Sequence, residues 1–242
     1  MSDPKTIIIA FISGIVPALI WLWFWLKEDK ENPEPKGLIA MTFILGMLSV
    51  LLILPLEKFA KSQIVNPATL TIVLSIMEEV IKYLAAVAIA IKSHKTNDPV
   101  DFAIHMITAA LGFAALENTL FLIEPIALGQ TAVSVLTGNL RFIGATLLHA
   151  TASSFIGIGL GLALKKSIWE KRFYLLGGFS AAITLHTIFN FYIMKAEGVG
   201  FLQIFAFLWV TTILSLLMFE KLRRIGIKIK ENVTPSTLVK LS

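Results

Sequence analysis

Two adjacent glutamates and a lysine interrupt an otherwise apolar stretch of the sequence. The stretch TIVLSIMEEVIKYLAAVAIAI, residues 71–91, contains Glu78, Glu79 and Lys82. A charged side chain near the centre of a membrane-spanning helix costs roughly 2.5–3.5 kcal/mol, so such residues are expected to be paired or functional. On a helix, Glu78 and Lys82 share one face, while Glu79 lies about 100° further round. We therefore expect Lys82 to form a structural ion pair with one carboxylate and the other carboxylate to take part in acid–base chemistry.

Further polar side chains recur in the later apolar stretches of the chain. Carboxylates and imidazoles act as general acids and bases, and they also bind zinc. A side-chain amide one helical turn after a histidine can stabilise an oxyanion. The candidate catalytic residues are Glu78, Glu79, Glu117, His149, His186 and Asn190. The candidate ligands for Zn²⁺ or another divalent metal are Glu79, Glu117, His149 and His186. The chain has no HExxH motif, so the residues leave open whether a metal ion or a glutamate alone activates water.

The composition places these residues in a membrane protein. Of the 242 residues, 56% are hydrophobic and 15% are charged, whereas soluble domains contain about 25% charged residues. The absence of cysteine excludes disulfides and thiolate catalysis. A membrane span needs about 20 mostly apolar residues, and the sequence offers seven such stretches. They are residues 6–26, 37–56, 68–91, 101–123, 138–164, 173–194 and 201–219.

We predict an all-α polytopic membrane helix bundle that forms a single integral membrane domain over 1–242. The catalytic bundle is expected at about 67–195, between flanking helices at 6–56 and 201–219, and a basic cytoplasmic tail at 220–242. Of the 21 lysines and arginines, fifteen fall on the side that includes this tail, five fall on the other side, and Lys82 lies within a span. The positive-inside rule then places the N-terminus outside and the C-terminus in the cytoplasm. The net charge of +5 follows this topology pattern, and no nucleic-acid partner is expected.

The ionisable residues of four successive predicted spans fall at similar depths in the membrane. At 1.5 Å per residue, Glu78 and His149 lie roughly 15 Å from the outer end of their spans, His186 roughly 12 Å and Glu117 roughly 9 Å. Independent placement would scatter these residues over the whole thickness. The pattern therefore predicts one shared polar cavity in the outer half of the bilayer. The stretch 124–137 is too short to span, and the sequence leaves open whether it is re-entrant, interfacial or a loop.

Four motifs in this region resemble those of a known family. They are EEVIK at 78–82, FAALEN at 113–118, the segment RFIGATLLHATASSFIGIGLG that contains His149, and HTIFN at 186–190. Together they resemble the PrsW family of intramembrane proteases, which is similar to the CAAX prenyl endopeptidase and bacteriocin-processing superfamily. The resemblance covers predicted spans three to six.

The resemblance implies an intramembrane endopeptidase of the cell membrane. Its substrates would be membrane proteins or lipidated peptides, as in anti-sigma-factor or prenyl-protein-like processing. Glu78 and Glu79 would activate the water, and His186 and Asn190 would hold the water or the oxyanion. The superfamily commonly has a histidine where this chain has Glu117, which suggests that His149 supplies the missing imidazole.

Other classes of protein also place polar residues inside the membrane. A proton- or ion-coupled transporter would use the same buried Glu, Lys and His residues, but it should show internal repeats, and we find no convincing repeat. A haem or metal electron carrier would use His149 and His186 as axial ligands. A catalytically silent scaffold is a further alternative. We interpret His105 as a satisfied core residue, and Arg141 equally as an interfacial anchor or a site residue. The sequence does not decide the substrate or the oligomeric state.

Overall fold

The computed structural model describes residues 3–29, 33–90, 98–193, 195 and 199–233. Within these ranges the chain is helical and contains no strand, which confirms the all-α prediction. The helices are α1 (Pro4–Glu28), α2 (Lys36–Gln63), α3 (Pro67–Ala90), α4 (Pro99–Ala127), α5 (Thr131–Leu140), α6 (Thr146–Leu162), α7 (Ile168–Ile193) and α8 (Val199–Val233), with a π-helical turn (Arg141–Ala145) between α5 and α6.

Six helical stretches of the described chain are long and apolar enough to cross a membrane. They are α1, α2, α4, the continuous stretch from α5 to α6, α7 and α8. Helix α3 has 24 residues but is not among the six, because it carries three charged side chains. With α3 as the seventh, the helices correspond to the seven predicted spans. Which ends face the exterior stays a prediction.

The outward faces of the bundle are apolar. Ile8 of α1, Leu52 of α2 and Leu217 of α8 are all exposed, as expected for side chains that contact lipid. The predicted basic tail at 220–242 begins inside α8, and residues 234–242 lie outside the described part of the chain.

The stretch 124–137 is divided between two helices. Helix α4 continues to Ala127, and a turn at Gly129 with φ +65° leads directly into α5. Glycine adopts this left-handed conformation without the steric penalty that a Cβ brings. The helix predicted at 138–164 therefore starts earlier, at Thr131, and includes the π-helical turn.

Helix α4 lies at the centre of the bundle and contacts α1, α2, α3, α6 and α8. Two glycines bring α4 and α2 close together: a Cβ at Gly46 would strike the backbone of Ala109, and a Cβ at Gly112 would strike the backbone of Phe43. A Cβ at Gly157 of α6 would likewise meet the backbone of α4. Small residues permit such backbone contact between membrane helices. This tight centre brings the polar residues of α3, α4, α6 and α7 within reach of one another.

Candidate active site

One buried cluster collects most of the polar residues that the sequence singled out. Helix α3 contributes Glu78, Glu79 and Lys82, and α4, α6 and α7 contribute one residue each. We call these six residues the Glu–His cluster: Glu78, Glu79, Lys82, Glu117, His149 and His186. Its members are linked by hydrogen bonds and ion pairs, so the predicted convergence of four helices is present in the fold.

Lys82 is fully buried and sits among three partners. Its Nζ lies 2.8 Å from Glu79 Oε1 and 2.8 Å from His149 Nδ1. The distance from Lys82 Nζ to Glu78 Oε2 is longer, at 3.5 Å. Helical spacing alone pointed to Glu78 as the partner, but Glu79 holds the closer contact. The reason is tertiary, because a hydrogen bond to His149 on α6 fixes the position of the ammonium group.

Both oxygens of the Glu79 carboxylate accept hydrogen bonds. Oε1 accepts from Lys82 and from His186 Nδ1, the latter at 2.8 Å. Oε2 accepts from the Ser153 hydroxyl at 2.7 Å. Glu79 is fully buried and joins α3 to α6 and α7. Its surroundings suit a carboxylate that holds other groups in place.

The two histidines each use one ring nitrogen to contact a glutamate. His186 Nδ1 donates to Glu79, and His149 Nε2 donates to Glu117 Oε2 at 3.1 Å. We assign these tautomers from the network, since carboxylates only accept and the Lys82 ammonium only donates. The two remaining nitrogens differ. His149 Nδ1 accepts from the Lys82 ammonium at 2.8 Å, whereas His186 Nε2 has a lone pair to which no described residue donates.

Both of these nitrogens lie near Glu78. Glu78 Oε2 lies 3.5 Å from His186 Nε2 and 3.9 Å from His149 Nδ1, and the three atoms all lie within 4.8 Å of one another. Glu78 Oε2 and His186 Nε2 are buried, and no described residue forms a hydrogen bond with either atom. Two histidines and one carboxylate form a frequent zinc ligand set.

The surroundings of this triad also suit a divalent cation. A metal-bound histidine usually donates its other N–H to a carboxylate, and Glu79 and Glu117 occupy these positions here. The three carboxylates of the cluster face two cationic side chains, Lys82 and Arg141, which leaves net negative charge around the triad. The predicted ligands His149 and His186 are therefore in the triad, whereas Glu79 and Glu117 contact the opposite nitrogens of the two rings.

Arg141 closes the cluster on its most exposed side. Its Nη2 donates to Glu117, its Nε donates to Asn118 Oδ1 at 2.5 Å, and its guanidinium lies 3.9 Å from the Phe121 ring centroid. The side chains of Arg141 and Glu117 are 16% and 20% exposed, against 8% or less for Glu78 and both histidines. Arg141 therefore contacts the Glu–His cluster, and it also begins the π-helical turn, a feature often found at functional sites.

A comparison with known protein families agrees with this arrangement. Residues 34–218 match the family described as "PrsW family intramembrane metalloprotease". The chain belongs to this family. The matched range includes α3, α4, α6 and α7, which together supply every member of the Glu–His cluster.

Curated relatives of the PrsW family match most of the chain. "Protease PrsW" of Geobacillus kaustophilus is 25% identical over 192 residues, covering 78% of this chain and 81% of the relative. "Protease PrsW" of Oceanobacillus iheyensis is 29% identical over 183 residues, covering 74% and 80%. "Protease PrsW" of Shouchella clausii is 27% identical over 216 residues, covering 88% and 95%. No solved structure shows a significant match.

Family membership confirms three predictions made from the sequence. The chain is an intramembrane protease and therefore a hydrolase, and it is a multi-pass protein of the cell membrane. The transporter alternative is not favoured. The family description as a metalloprotease agrees with the ligand set of Glu78, His149 and His186.

Some parts of this PrsW-family site differ from the sequence analysis. Asn190 lies one turn after His186 and is partly exposed, but it forms no hydrogen bond with a described residue, so its oxyanion role stays a prediction. The sequence analysis missed Ser153, although its position one helical turn after His149 is a usable signal. The contact of Asn118 with Arg141 was also missed, although Asn118 closes the FAALEN motif.

Proposed function

We propose that this PrsW-family protease is an endopeptidase that hydrolyses a peptide bond of a membrane-protein substrate at Glu78, His149 and His186. One observation carries the proposal: Glu78 Oε2 and His186 Nε2 face each other at 3.5 Å without a hydrogen-bond partner among the described residues. Most other polar atoms of the cluster are bonded. Buried polar atoms are rarely left unpaired unless a ligand or a reaction needs them.

A divalent ion such as Zn²⁺ fits this triad, and Glu78, His149 and His186 would hold it. When bound, such an ion supplies Lewis acidity that polarises a water molecule or the scissile carbonyl. Glu79 keeps the His186 lone pair directed at the centre, because it binds the opposite ring nitrogen. Glu117 binds the opposite nitrogen of His149 in the same way, while Lys82 donates to His149 Nδ1 on the side of the centre.

Glu78 is the carboxylate best placed to move a proton. No described residue donates a hydrogen bond to it, whereas Glu79 accepts three and Glu117 is bound by Arg141 and His149. With Oε2 held by the ion, Glu78 would use its second carboxylate oxygen, Oε1, to take a proton from the attacking water as oxygen bonds to the carbonyl carbon. It would return that proton to the amide nitrogen as the C–N bond breaks.

The substrate would approach past Glu117 and Arg141, the most exposed members of the site. Arg141 uses one Nη2 and one Nε contact, and a guanidinium has five N–H donors. The remaining donors are available to a substrate carbonyl. With the predicted topology, the scissile bond would lie in the outer half of the bilayer, within or beside the substrate's own spanning segment.

The test compares membrane proteins from cells that express the wild-type chain with those from cells that express Glu78→Gln at the same level. N-terminal peptides of the membrane fraction are identified by mass spectrometry. We expect new N-termini within or next to spanning segments in wild-type cells only. Identical sets of N-termini in the two strains would overturn the proposal, as would new N-termini confined to soluble proteins.

A further inference from the structure

A second group of unpaired polar atoms lies at the other end of α4. His105 is 1% exposed, and it follows Asp101 by one helical turn on the same face. Glu34, in the loop before α2, places its Oε2 3.7 Å from His105 Nε2. These two atoms and Asp101 Oδ1 are buried and form no hydrogen bond with a described residue. The group lies roughly 18 Å from Glu117 along α4, so it is separate from the Glu–His cluster.

The hydrogen bonds of His105 fix which ring nitrogen carries the proton. The Thr42 hydroxyl donates to the Leu38 carbonyl at 2.8 Å, so it accepts from His105 Nδ1 at 3.0 Å. Because His105 Nδ1 carries the proton and donates it to Thr42, Nε2 of the neutral ring has a lone pair. This lone pair faces the Glu34 carboxylate. Two electron-rich atoms face each other here, and a cation between them would satisfy both. A histidine whose other nitrogen donates to an oxygen is the usual arrangement of a metal ligand.

The surrounding charge also favours a cation. Asp101 uses Oδ2 to accept from the Asp98 backbone, and the carboxylates of Glu34, Asp98 and Asp29 are the neighbouring charges that act on it. Buried carboxylates that repel one another are costly unless a positive charge compensates them. A cavity of about 530 Å³ between α1 and α2 reaches Asp29 and Glu34, which offers a route to the group.

We propose that Glu34 and His105 bind a second divalent cation beside the Asp101 carboxylate, which ties the start of α2 to α4. An imidazole ligand suits Zn²⁺ or a similar transition metal better than Ca²⁺ or Mg²⁺, which prefer oxygen ligands alone. This site is independent of the catalytic centre and of the function proposed for it.

The test measures Zn²⁺ bound to the full chain, purified in detergent without a histidine tag, by equilibrium dialysis and elemental analysis. A His149→Ala/His186→Ala background removes the catalytic ligands. In this background we expect about one equivalent of Zn²⁺ to remain, and Zn²⁺ to raise the thermal unfolding midpoint. Adding Glu34→Gln should abolish both effects, and so should adding His105→Gln.

Glu34 lies in a loop, so Glu34→Gln is the change that disturbs helix packing least. Glu28→Gln alters an exposed glutamate nearby and should leave both effects intact.

Three results would overturn the proposal. The first is a background protein that binds no Zn²⁺. The second is Zn²⁺ binding that survives both Glu34→Gln and His105→Gln. The third is a background protein whose unfolding midpoint falls with His105→Gln in the absence of metal but does not respond to Zn²⁺, which would indicate a protonated His105 paired with Glu34.

Discussion

Glu78 Oε2 and His186 Nε2 lie 3.5 Å apart inside the bundle, and neither atom has a hydrogen-bond partner among the described residues. The atoms come from α3 and α7, and the rest of each side chain's surroundings is tightly organised. His186 donates its other ring N–H to Glu79, while Lys82 lies 3.5 Å from Glu78. Most other polar atoms of the Glu–His cluster form hydrogen bonds. We therefore place the hydrolytic chemistry of the PrsW-family chain between Glu78 Oε2 and His186 Nε2.

Glu79 is predicted to maintain stability as well as activity. Glu79→Ala removes the closest partner of the buried Lys82 ammonium and leaves that charge with only the longer ion pair to Glu78. The cost should be about 3–5 kcal/mol, visible as a lower thermal unfolding midpoint in detergent. Glu78→Gln should abolish cleavage while lowering the midpoint much less, because no described residue donates a hydrogen bond to Glu78. Glu28→Ala, at an exposed position on α1, is the matched control. Equal midpoints for Glu79→Ala and Glu28→Ala would refute this role.

Arg141 is predicted to act through its geometry and not only its charge. Arg141→Lys keeps the positive charge but cannot bind Glu117 and Asn118 at the same time with a planar fork. Since Glu117 orients His149, we expect cleavage to fall by about 10–100-fold, as for other partners of metal-bound histidines. Arg172→Lys, on the exposed start of α7, should cleave at the wild-type rate. Full activity of Arg141→Lys in a reconstituted cleavage assay would show that charge alone suffices.

The contact between α2 and α4 is predicted to depend on the absence of a side chain at Gly112. Gly112→Ala would push a methyl group into the Phe43 backbone and should destabilise the bundle by about 1–3 kcal/mol. Gly177→Ala is the matched control, because a Cβ there meets nothing within 4 Å. Thermal unfolding of both variants in the same detergent provides the measurement. Indistinguishable midpoints would mean that the helices separate without cost.

The helices and the shared cluster could be predicted from the sequence. Hydropathy indicates where a span begins and ends, and the rise of 1.5 Å per residue gives the depth of each side chain along its helix. The direction in which each side chain points around its helix axis was harder to predict. Spacing favoured Glu78 as the partner of Lys82, but contacts with α6 and α7 favour Glu79. The same limit applies to the metal ligands. The sequence proposed Glu79 and Glu117 as ligands together with His149 and His186, and that set stays a prediction. In the fold, Glu78 is the carboxylate grouped with both histidines.

Contacts between distant segments explain the other differences. His105 was interpreted as a satisfied core residue, and its Nδ1 is indeed bonded to Thr42. Its Nε2 instead faces Glu34, which precedes it by 71 residues and lies in a charged loop that gave no local signal. Likewise, the role of Arg141 depends on Glu117 in a different helix, and no pattern within either helix predicts that pairing.

The metal-holding role of Glu78, His149 and His186 is tested by cleavage with purified protein that has been stripped of metal and then reloaded with Zn²⁺. The substrate is a membrane protein identified from the N-terminal peptides described above. For the wild type, we predict that cleavage is lost on chelation and restored by Zn²⁺. For His186→Ala, we predict that cleavage is absent before and after Zn²⁺ addition, with the unfolding midpoint reported alongside. Undiminished cleavage by the stripped wild type, or restored cleavage by His186→Ala, would contradict a metal-holding hydrolytic centre at Glu78, His149 and His186.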